Sequence, residues 1–206
     1  MYLVKSPLVL QLLYPSLIWK QSRAEKNIYL TFDDGPIPDV TEFVLKTLEK
    51  FNAKATFFCI GDNIIKHPNI FKAIKANGHS IGNHTFNHLK GWKTDTPTYL
   101  ENTIKCEELT QTKLFRPPFG RIKYAQIRSL KKTFGKDFKI IMWDVLSGDY
   151  DQNTHPEQCL NNVIKHTENG SIVVFHDSLK AFNNLKYTLP LFLQHFKALG
   201  YNFKSL

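Results

Sequence analysis

Short runs of β-branched and aromatic residues alternate with stretches of helical spacing along most of this chain. Each short run is bounded by Gly, Pro, Asn or Asp, which is typical of buried strands. Seven candidate strands result, at residues 27–32, 53–60, 79–83, 113–117, 138–144, 171–176 and 201–204. Apolar residues with helical periodicity lie between them, at 40–51, 64–74, 99–109, 127–134, 159–164 and 189–199.

This alternation predicts parallel strands joined by right-handed crossovers, and 206 residues fit a single domain of that kind. Periodicity alone leaves a barrel and an open doubly wound sheet as alternatives. Polar residues at the carboxyl ends of several different strands favour the barrel, because those ends form one shared rim. These residues are Asp33, Asp34, His84, Arg116, Asp149 and His176. We therefore predict an α/β fold with a parallel (β/α) barrel and a site at its C-terminal rim.

The net charge of +9 raises the question of an anionic partner. The lysines occur singly or in pairs, without a long basic run or the aromatic motif of an RNA-binding module, so no nucleic acid is expected. Cys59, Cys106 and Cys159 are odd in number and widely spaced. This spacing excludes a disulfide framework, favours packing in the core and is typical of a reducing compartment.

The apolar stretch at residues 8–19 is the one segment with features of a targeting signal. It is too short to span a bilayer, and Gln11 and Pro15 interrupt it. We expect an N-terminal extension at 1–26, packed as an amphipathic segment on a single domain at 27–206. An interfacial helix on a membrane is the alternative, although membrane contact is not the expected outcome.

The adjacent carboxylates of Asp33 and Asp34 end the first predicted strand. Two such groups repel each other unless a cation lies between them or one has a basic partner. A solvated acidic turn is one reading, and the Mg²⁺-binding acidic pair of a phosphoacceptor domain is another. The latter leaves the histidines of the chain unexplained.

His84 and His88 stand four residues apart, so one helical turn would place both imidazoles on one face, at a distance suited to a common metal ion. Thr85 stands where a zinc protease needs a glutamate, which makes that class an unlikely match. Two imidazoles and one carboxylate form a three-ligand site with an open position, as in catalytic zinc sites. Asp34 is the natural third ligand.

Two further segments place polar groups after predicted strands. The prolines of Arg116-Pro117-Pro118-Phe119-Gly120 stiffen the loop, so it can aim a guanidinium and a backbone N–H. His176 ends an apolar strand, and Asp149 follows another. Each of these alone is equally consistent with an ordinary turn or a satisfied core histidine.

Taken in order, these segments resemble the polysaccharide deacetylases, metal-dependent enzymes of the NodB-homology type in carbohydrate esterase family 4. The resemblance runs from about residue 28 to 177. It rests on Thr-Phe-Asp-Asp-Gly at 31–35, Lys-Ala-Thr-Phe-Phe at 54–58, Gly-His-Ser-Ile-Gly-Asn-His-Thr-x-x-His at 78–88, Arg-Pro-Pro-Phe-Gly at 116–120 and Ile-Val-Val-x-His-Asp at 172–177. It implies a distorted (β/α) barrel of about seven parallel strands.

The resemblance also implies a role for each motif residue. Asp34, His84 and His88 are then the metal ligands, and Asp33 is the catalytic base held in place by Arg116. His176, paired with Asp149, is the catalytic acid, and the backbone N–H of Phe119 stabilises the oxyanion. Three positions depart from the common family pattern, namely Tyr150, Leu146 and Val174. Tyr150 stands where a Trp usually follows the acid, Leu146 where another Asp often lies, and Val174 where a Leu usually lines the acetyl pocket. The replacements at Tyr150 and Val174 keep the character of the pocket but change its volume, so they bear on substrate identity.

We therefore expect a metal-dependent hydrolase that uses Zn²⁺, Co²⁺ or another divalent ion. Its expected reaction removes N-acetyl groups from a polymer or oligosaccharide containing N-acetylglucosamine. The alternatives are an esterase for O-acetyl groups of xylan-type polymers and a non-catalytic carbohydrate- or metal-binding protein. The cytoplasm is the expected compartment, with the cell envelope as the alternative.

Overall fold

The computed structural model describes residues 3–206, and the first two residues of the predicted extension lie outside the described residues. Eight short strands form one curved, entirely parallel sheet, whose main path has the order β5-β4-β3-β2-β1-β7-β6. The eighth strand pairs with the first residues of β1. The strands are β1 (Asn27–Asp33), β2 (Thr56–Cys59), β3 (Ser80–Asn83), β4 (Leu114–Phe115), β5 (Lys139–Ile140), β6 (Val145–Leu146), β7 (Ile172–His176) and β8 (Asn202–Lys204). This curled sheet surrounded by helices confirms the predicted distorted (β/α) barrel.

The described residues form eight α-helices, most of them crossovers between the strands. They are α1 (Leu8–Leu13), α2 (Val40–Lys50), α3 (Gly61–Lys66), α4 (Pro68–Ala76), α5 (Thr96–Thr110), α6 (Tyr124–Phe134), α7 (Pro156–His166) and α8 (Phe182–Ala198). The stretch predicted as one helix at 64–74 is two helices, because Pro68 disfavours a helical conformation at His67. Within residues 3–206 we find no helix with the length and apolar character needed to cross a membrane.

The strand predicted at 138–144 is wrong in extent, and β6 was not predicted. Only Lys139 and Ile140 pair with β4. The separate strand β6 begins at Val145 and pairs with β7, so an opening in the sheet lies between β5 and β6. The side chain of Arg116 donates hydrogen bonds to the carbonyl groups of residues 141 and 142. Those carbonyls therefore serve a buried cation instead of a strand partner, a tertiary effect that periodicity does not show.

The opening between β5 and β6 is lined by the N-terminal segment. Ile18 exchanges backbone hydrogen bonds with the chain beside β5, donating to Ile140 at 2.9 Å and accepting from Met142 at 2.7 Å. Beside β6, Ser6 donates to the carbonyl of Asp144 at 2.9 Å. Since β5 and β6 end the main sheet path, the segment covers both of its open edges.

Two apolar clusters form most of the core. The larger lies between the sheet and helices α2 and α8, and the smaller joins Leu17 and Trp19 of the N-terminal segment to α6 and β4. The three cysteines are buried and unpaired, as predicted. Burial raises the pKa of Cys106 and of Cys159 to about 12, so neither is a ready nucleophile.

Candidate active site

The carboxylate of Asp33 meets a fully buried guanidinium at the end of β1. Nη1 of Arg116 lies 2.7 Å from Oδ1 of Asp33 and also donates to the hydroxyl of Thr31 at 2.7 Å. The ring of Phe58 stacks beneath the guanidinium, 4.2 Å from its carbon. Because Arg116 has no accessible surface, its charge is neutralised mainly by Asp33. The ion pair fixes the carboxylate in one orientation.

The imidazole of His84 is buried and held in one tautomer. Its Nδ1 lies 2.8 Å from the backbone carbonyl of Arg116, which only accepts hydrogen bonds, so Nδ1 carries the proton. Burial is the main cause that lowers the pKa of His84 to about 4. The ring is therefore neutral at physiological pH, and the lone pair of Nε2 is available to a metal ion.

His84 and His88 do not share a helix, contrary to the sequence prediction. They lie in the loop after β3, where Thr85 and His88 have positive φ angles of 62° and 56°. Asn102 Oδ1 accepts a hydrogen bond from the backbone N–H of Phe86 at 2.9 Å, and Thr85 Oγ1 accepts one from that of Leu89 at 3.2 Å. These side chains take the hydrogen bonds that a helix would supply. The fold still brings the two rings together, with centroids 5.1 Å apart.

Asp34 completes a three-residue cluster with the two histidines. Its Oδ1 lies 3.6 Å from Nε2 of His84 and 3.2 Å from Nε2 of His88, and the candidate ligand atoms all lie within 4.8 Å of one another. This oxygen is buried and has no hydrogen-bond partner among the described residues. An orphaned buried acceptor facing two imidazole nitrogens fits a divalent cation.

A second pair lies near the ends of β6 and β7, where Asp149 is buried and His176 is partly exposed to solvent. Asp149 accepts a hydrogen bond from Nδ1 of His176 at 2.8 Å and one from its backbone N–H, also at 2.8 Å. Burial by itself lowers the pKa of His176. The charge and hydrogen bond of Asp149, with the charges of Asp34 and Asp33, outweigh it and raise the pKa to about 9. The imidazole is therefore protonated at neutral pH.

A cavity of about 970 Å³ opens over these groups. Arg116 and Asp149 lie behind its surface, and the other predicted site residues line it. Those residues are Asp33, Asp34, His84, His88, Phe119, Tyr150, Val174 and His176, joined by Leu146. The backbone N–H of Phe119 forms no hydrogen bond within the described part of the chain, and Val174 and Leu146 are buried apolar residues of the cavity lining.

The sequence matches the polysaccharide deacetylase family over residues 20–138, more than half of the chain. The chain belongs to this family. A peptidoglycan-N-acetylglucosamine deacetylase of Bacillus cereus is 35% identical over 195 residues, which cover 91% of this chain and 90% of the relative. A chitooligosaccharide deacetylase of Azorhizobium caulinodans is 33% identical over 160 residues, 74% of each chain.

A solved polysaccharide deacetylase has the same fold over almost its full length. The peptidoglycan N-acetylglucosamine deacetylase Bc1960, in complex with 4-naphthalen-1-yl-N-oxidanyl-benzamide, superposes with a TM-score of 0.88. It is 29% identical, and the match covers 98% of this chain and 95% of that one. Polysaccharide deacetylases are metal-dependent hydrolases, so family membership confirms the enzyme class expected from the sequence.

The structure adds three positioning residues that the sequence analysis left without a role. Asp177 Oδ1 accepts a hydrogen bond from the backbone N–H of Gly35 at 3.0 Å, and Asn63 Nδ2 donates to the carbonyl of Asp34 at 2.7 Å. Thr41 donates to the other oxygen of Asp177 at 2.6 Å. Together they hold the turn that carries Asp33 and Asp34. Asp177 belongs to the deacetylase motif at 172–177, and that was the available signal for it.

Proposed function

We propose that this chain removes the N-acetyl group from N-acetylglucosamine residues of a peptidoglycan-type or chitin-type glycan. The named relatives support this substrate class, since both act on N-acetylglucosamine-containing glycans according to their names. They also favour a link to the cell envelope, whereas the cytoplasm stays the prediction from sequence. The products are acetate and a free amine.

Asp34, His84 and His88 would hold the divalent ion, for which we propose Zn²⁺ or Co²⁺. Such an ion supplies a Lewis acid that polarises the acetyl carbonyl and makes water a better nucleophile at neutral pH. The protein contributes a neutral imidazole oriented by the carbonyl of Arg116 and a carboxylate in a fixed turn. Two nitrogens and one oxygen leave room for water and substrate, as catalytic sites require.

Asp33 is the proposed general base. Its carboxylate lines the cavity next to the metal ligand Asp34, and Arg116 orients it through the 2.7 Å ion pair. It takes a proton from the attacking water as the new carbon–oxygen bond forms. Because the guanidinium is fully buried, the orientation is set before substrate binds.

His176 is the proposed general acid. An amine leaves an amide poorly unless its nitrogen is protonated as the carbon–nitrogen bond breaks. Nδ1 of His176 donates its hydrogen bond to Asp149, so Nε2 is the nitrogen that can deliver the proton. Over one hydrolysis Asp33 gains a proton and His176 loses one, so the total number of protons on the two side chains is unchanged.

The remaining cavity residues fit an acetyl group. The backbone N–H of Phe119 is unused within residues 3–206 and would donate to the developing oxyanion. The buried side chains of Val174 and Leu146 offer apolar surface for the methyl group. Tyr150 contacts the His176 ring edge-on at 4.9 Å and would limit how the imidazole turns.

One observation carries this proposal: Asp33 and His176 end two adjacent strands beside the candidate metal ligands. Arg116 holds the first of these side chains and Asp149 holds the second. Asp33 and His176 are direct neighbours in the β1–β7 pairing. A base and an acid, each oriented by its own buried partner, suit the two proton transfers of amide hydrolysis, whereas a binding protein has no use for them.

Acetate release tests the proposal. N-acetylglucosamine oligomers and acetylated xylan would be compared side by side, with chelated enzyme and with enzyme reloaded with Zn²⁺ or Co²⁺. We expect metal-dependent release from the amide substrate, absent in Asp33→Asn. Preference for xylan would establish the esterase alternative. Bound metal without release from any substrate would favour a binding protein.

A further inference from the structure

Helix α1 presents an apolar surface to solvent. Leu8, Val9, Leu12 and Leu13, here called the leucine patch, are 68%, 65%, 78% and 56% exposed. None of the six residues of α1 is buried. Single exposed leucines are common in proteins, but four on two turns of one helix form a patch of the kind that marks an interaction site.

The leucine patch is held firmly against the domain on its C-terminal side. The ring of Tyr14 stacks on that of Tyr124 in α6 at 4.8 Å, and the Tyr124 hydroxyl donates to the carbonyl of Leu13 at 2.7 Å. Leu17 and Trp19 then enter the core. A helix of six residues is unstable alone, so these contacts keep α1 in place while its own side chains stay unburied.

A surface of one charge sign adjoins the leucine patch. Residues 121–136, which include α6, contain six basic and no acidic side chains. Arg128 and Lys131 lie on the helix face of Tyr124, four and seven residues on, and Lys131 reaches the carbonyl of Ser16 at 3.3 Å. We call these six the basic stripe: Arg121, Lys123, Arg128, Lys131, Lys132 and Lys136. Within residues 3–206 none of the six pairs with a carboxylate.

Both features border the mouth of the active-site cavity. Leu10 and Leu13 of α1 and Arg121 of the basic stripe line it, together with the candidate metal ligands. In the segment 1–24, Lys5 and Arg23 are paired with Asp144 and Glu168, so within the described residues only Lys20 adds a basic side chain that has no carboxylate partner. An occupant of this surface must therefore be apolar in part, negatively charged and large enough to lie across the rim of the barrel.

We propose that the leucine patch and the basic stripe dock the protein on an anionic lipid membrane, with the cavity mouth at the membrane surface. The acyl layer would bury the four apolar side chains, and the headgroups would neutralise the stripe. From the sequence, the segment 8–19 was expected to pack on the domain, with an interfacial helix on a membrane as the alternative. Leu17 and Trp19 of that segment are buried, whereas the leucine patch is exposed.

Vesicle co-sedimentation of the full chain tests this. Wild-type protein would be mixed with phosphatidylcholine vesicles and with mixed phosphatidylglycerol–phosphatidylcholine vesicles, at low and high salt. The double variant Leu8→Gln/Leu12→Gln removes two members of the patch that do not line the cavity. Ile65→Gln/Leu199→Gln is the matched control, because these residues are 56% and 48% exposed on other elements. Arg128→Gln/Lys132→Gln tests the stripe.

We expect binding to the anionic vesicles only, weakened by salt. Both the Leu8/Leu12 and the Arg128/Lys132 variants should lower the partition coefficient about tenfold or more, and the control should match wild type. Acetate release from a soluble oligomer should be unchanged in the Leu8/Leu12 variant, which separates docking from the proposed reaction.

Three results would overturn the proposal: no binding by wild type, equal binding by wild type and the Leu8/Leu12 variant, or equal binding to neutral vesicles. Light scattering adds a fourth. If the wild-type protein is a dimer that does not bind vesicles, and the Leu8/Leu12 variant is a monomer, a second copy of the chain covers the patch.

Discussion

Asp149→Asn tests the catalytic acid with almost no change in shape. The asparagine keeps an oxygen that can accept the hydrogen bond from the backbone N–H of His176, now 2.8 Å from Oδ2. It loses the negative charge next to Nδ1. Since Asp149 is the main cause that raises the pKa of His176 to about 9, its removal should lower that pKa to the ordinary value of 6.5 or below.

The size of the effect follows from the protonated fraction of His176. At about pH 7.5 the imidazole is about 97% protonated with a pKa of about 9, and about 9% protonated with a pKa of 6.5. Amide hydrolysis needs the protonated form, so activity is lost as the pH rises through this pKa. The variant should be about tenfold slower at that pH and close to wild type near pH 5.5, where about 90% of the imidazole stays protonated.

The assay is kcat/KM for acetate release from an N-acetylglucosamine oligomer, measured from acidic to alkaline pH. The alkaline limb should move from near pH 9 to near pH 6.5 or lower in the variant. An activated aryl acetate serves as the control, because its leaving group needs little protonation and should show a much smaller loss. A loss that is uniform across pH, with the limb unmoved, would refute the acid role of His176.

Other substitutions separate base, metal site and scaffold. Asp33→Asn should reduce turnover by at least about 100-fold, while its metal content, measured by equilibrium dialysis, stays unchanged. His84→Ala should lose metal affinity as well as turnover. Near-normal turnover in Asp33→Asn would exclude Asp33 as the base. Arg116→Gln should cost about 3–5 kcal/mol of unfolding free energy in urea, because it leaves a buried carboxylate unpaired; a change below about 1 kcal/mol would contradict that dependence. Gly35→Ala should lower both thermal stability and metal affinity, since a Cβ there would lie 1.9 Å from Oδ2 of Asp177; unchanged affinity would mean that the turn adapts.

The strands that carry the site were predictable because each is a short apolar run with clear boundaries. β1 and β7 differ from the predicted strands by one residue at one end. β6 escaped prediction because it has only two residues and forms where the chain crosses the opening of the sheet. Its position depends on Arg116 and on residues 4–6, which are distant in sequence.

The residues of the site could be named from motif spacing, but their geometry could not. Four-residue spacing suggested a helical turn for His84 and His88, and the structure has a loop fixed by Asn102 and Thr85 instead. Hydrogen bonds to the side chains of Asn102, 16 positions from Phe86, and of Thr85 within the loop overrode the local period. For the same reason, nothing in the local sequence showed that Asp177 holds the turn at Gly35.

Motif order and hydrophobic periodicity were enough to identify the family, the parallel α/β architecture and the polar residues at the strand ends. Local patterns suffice for these because periodicity and motif order are properties of neighbouring residues. Only the folded chain shows which groups pair, which tautomer of His84 faces the candidate metal ligands, and which leucines remain in solvent. Burial and hydrogen-bond partners are set by residues far apart in the chain, such as Gly35 and Asp177 at 142 positions, and no local pattern encodes such pairings.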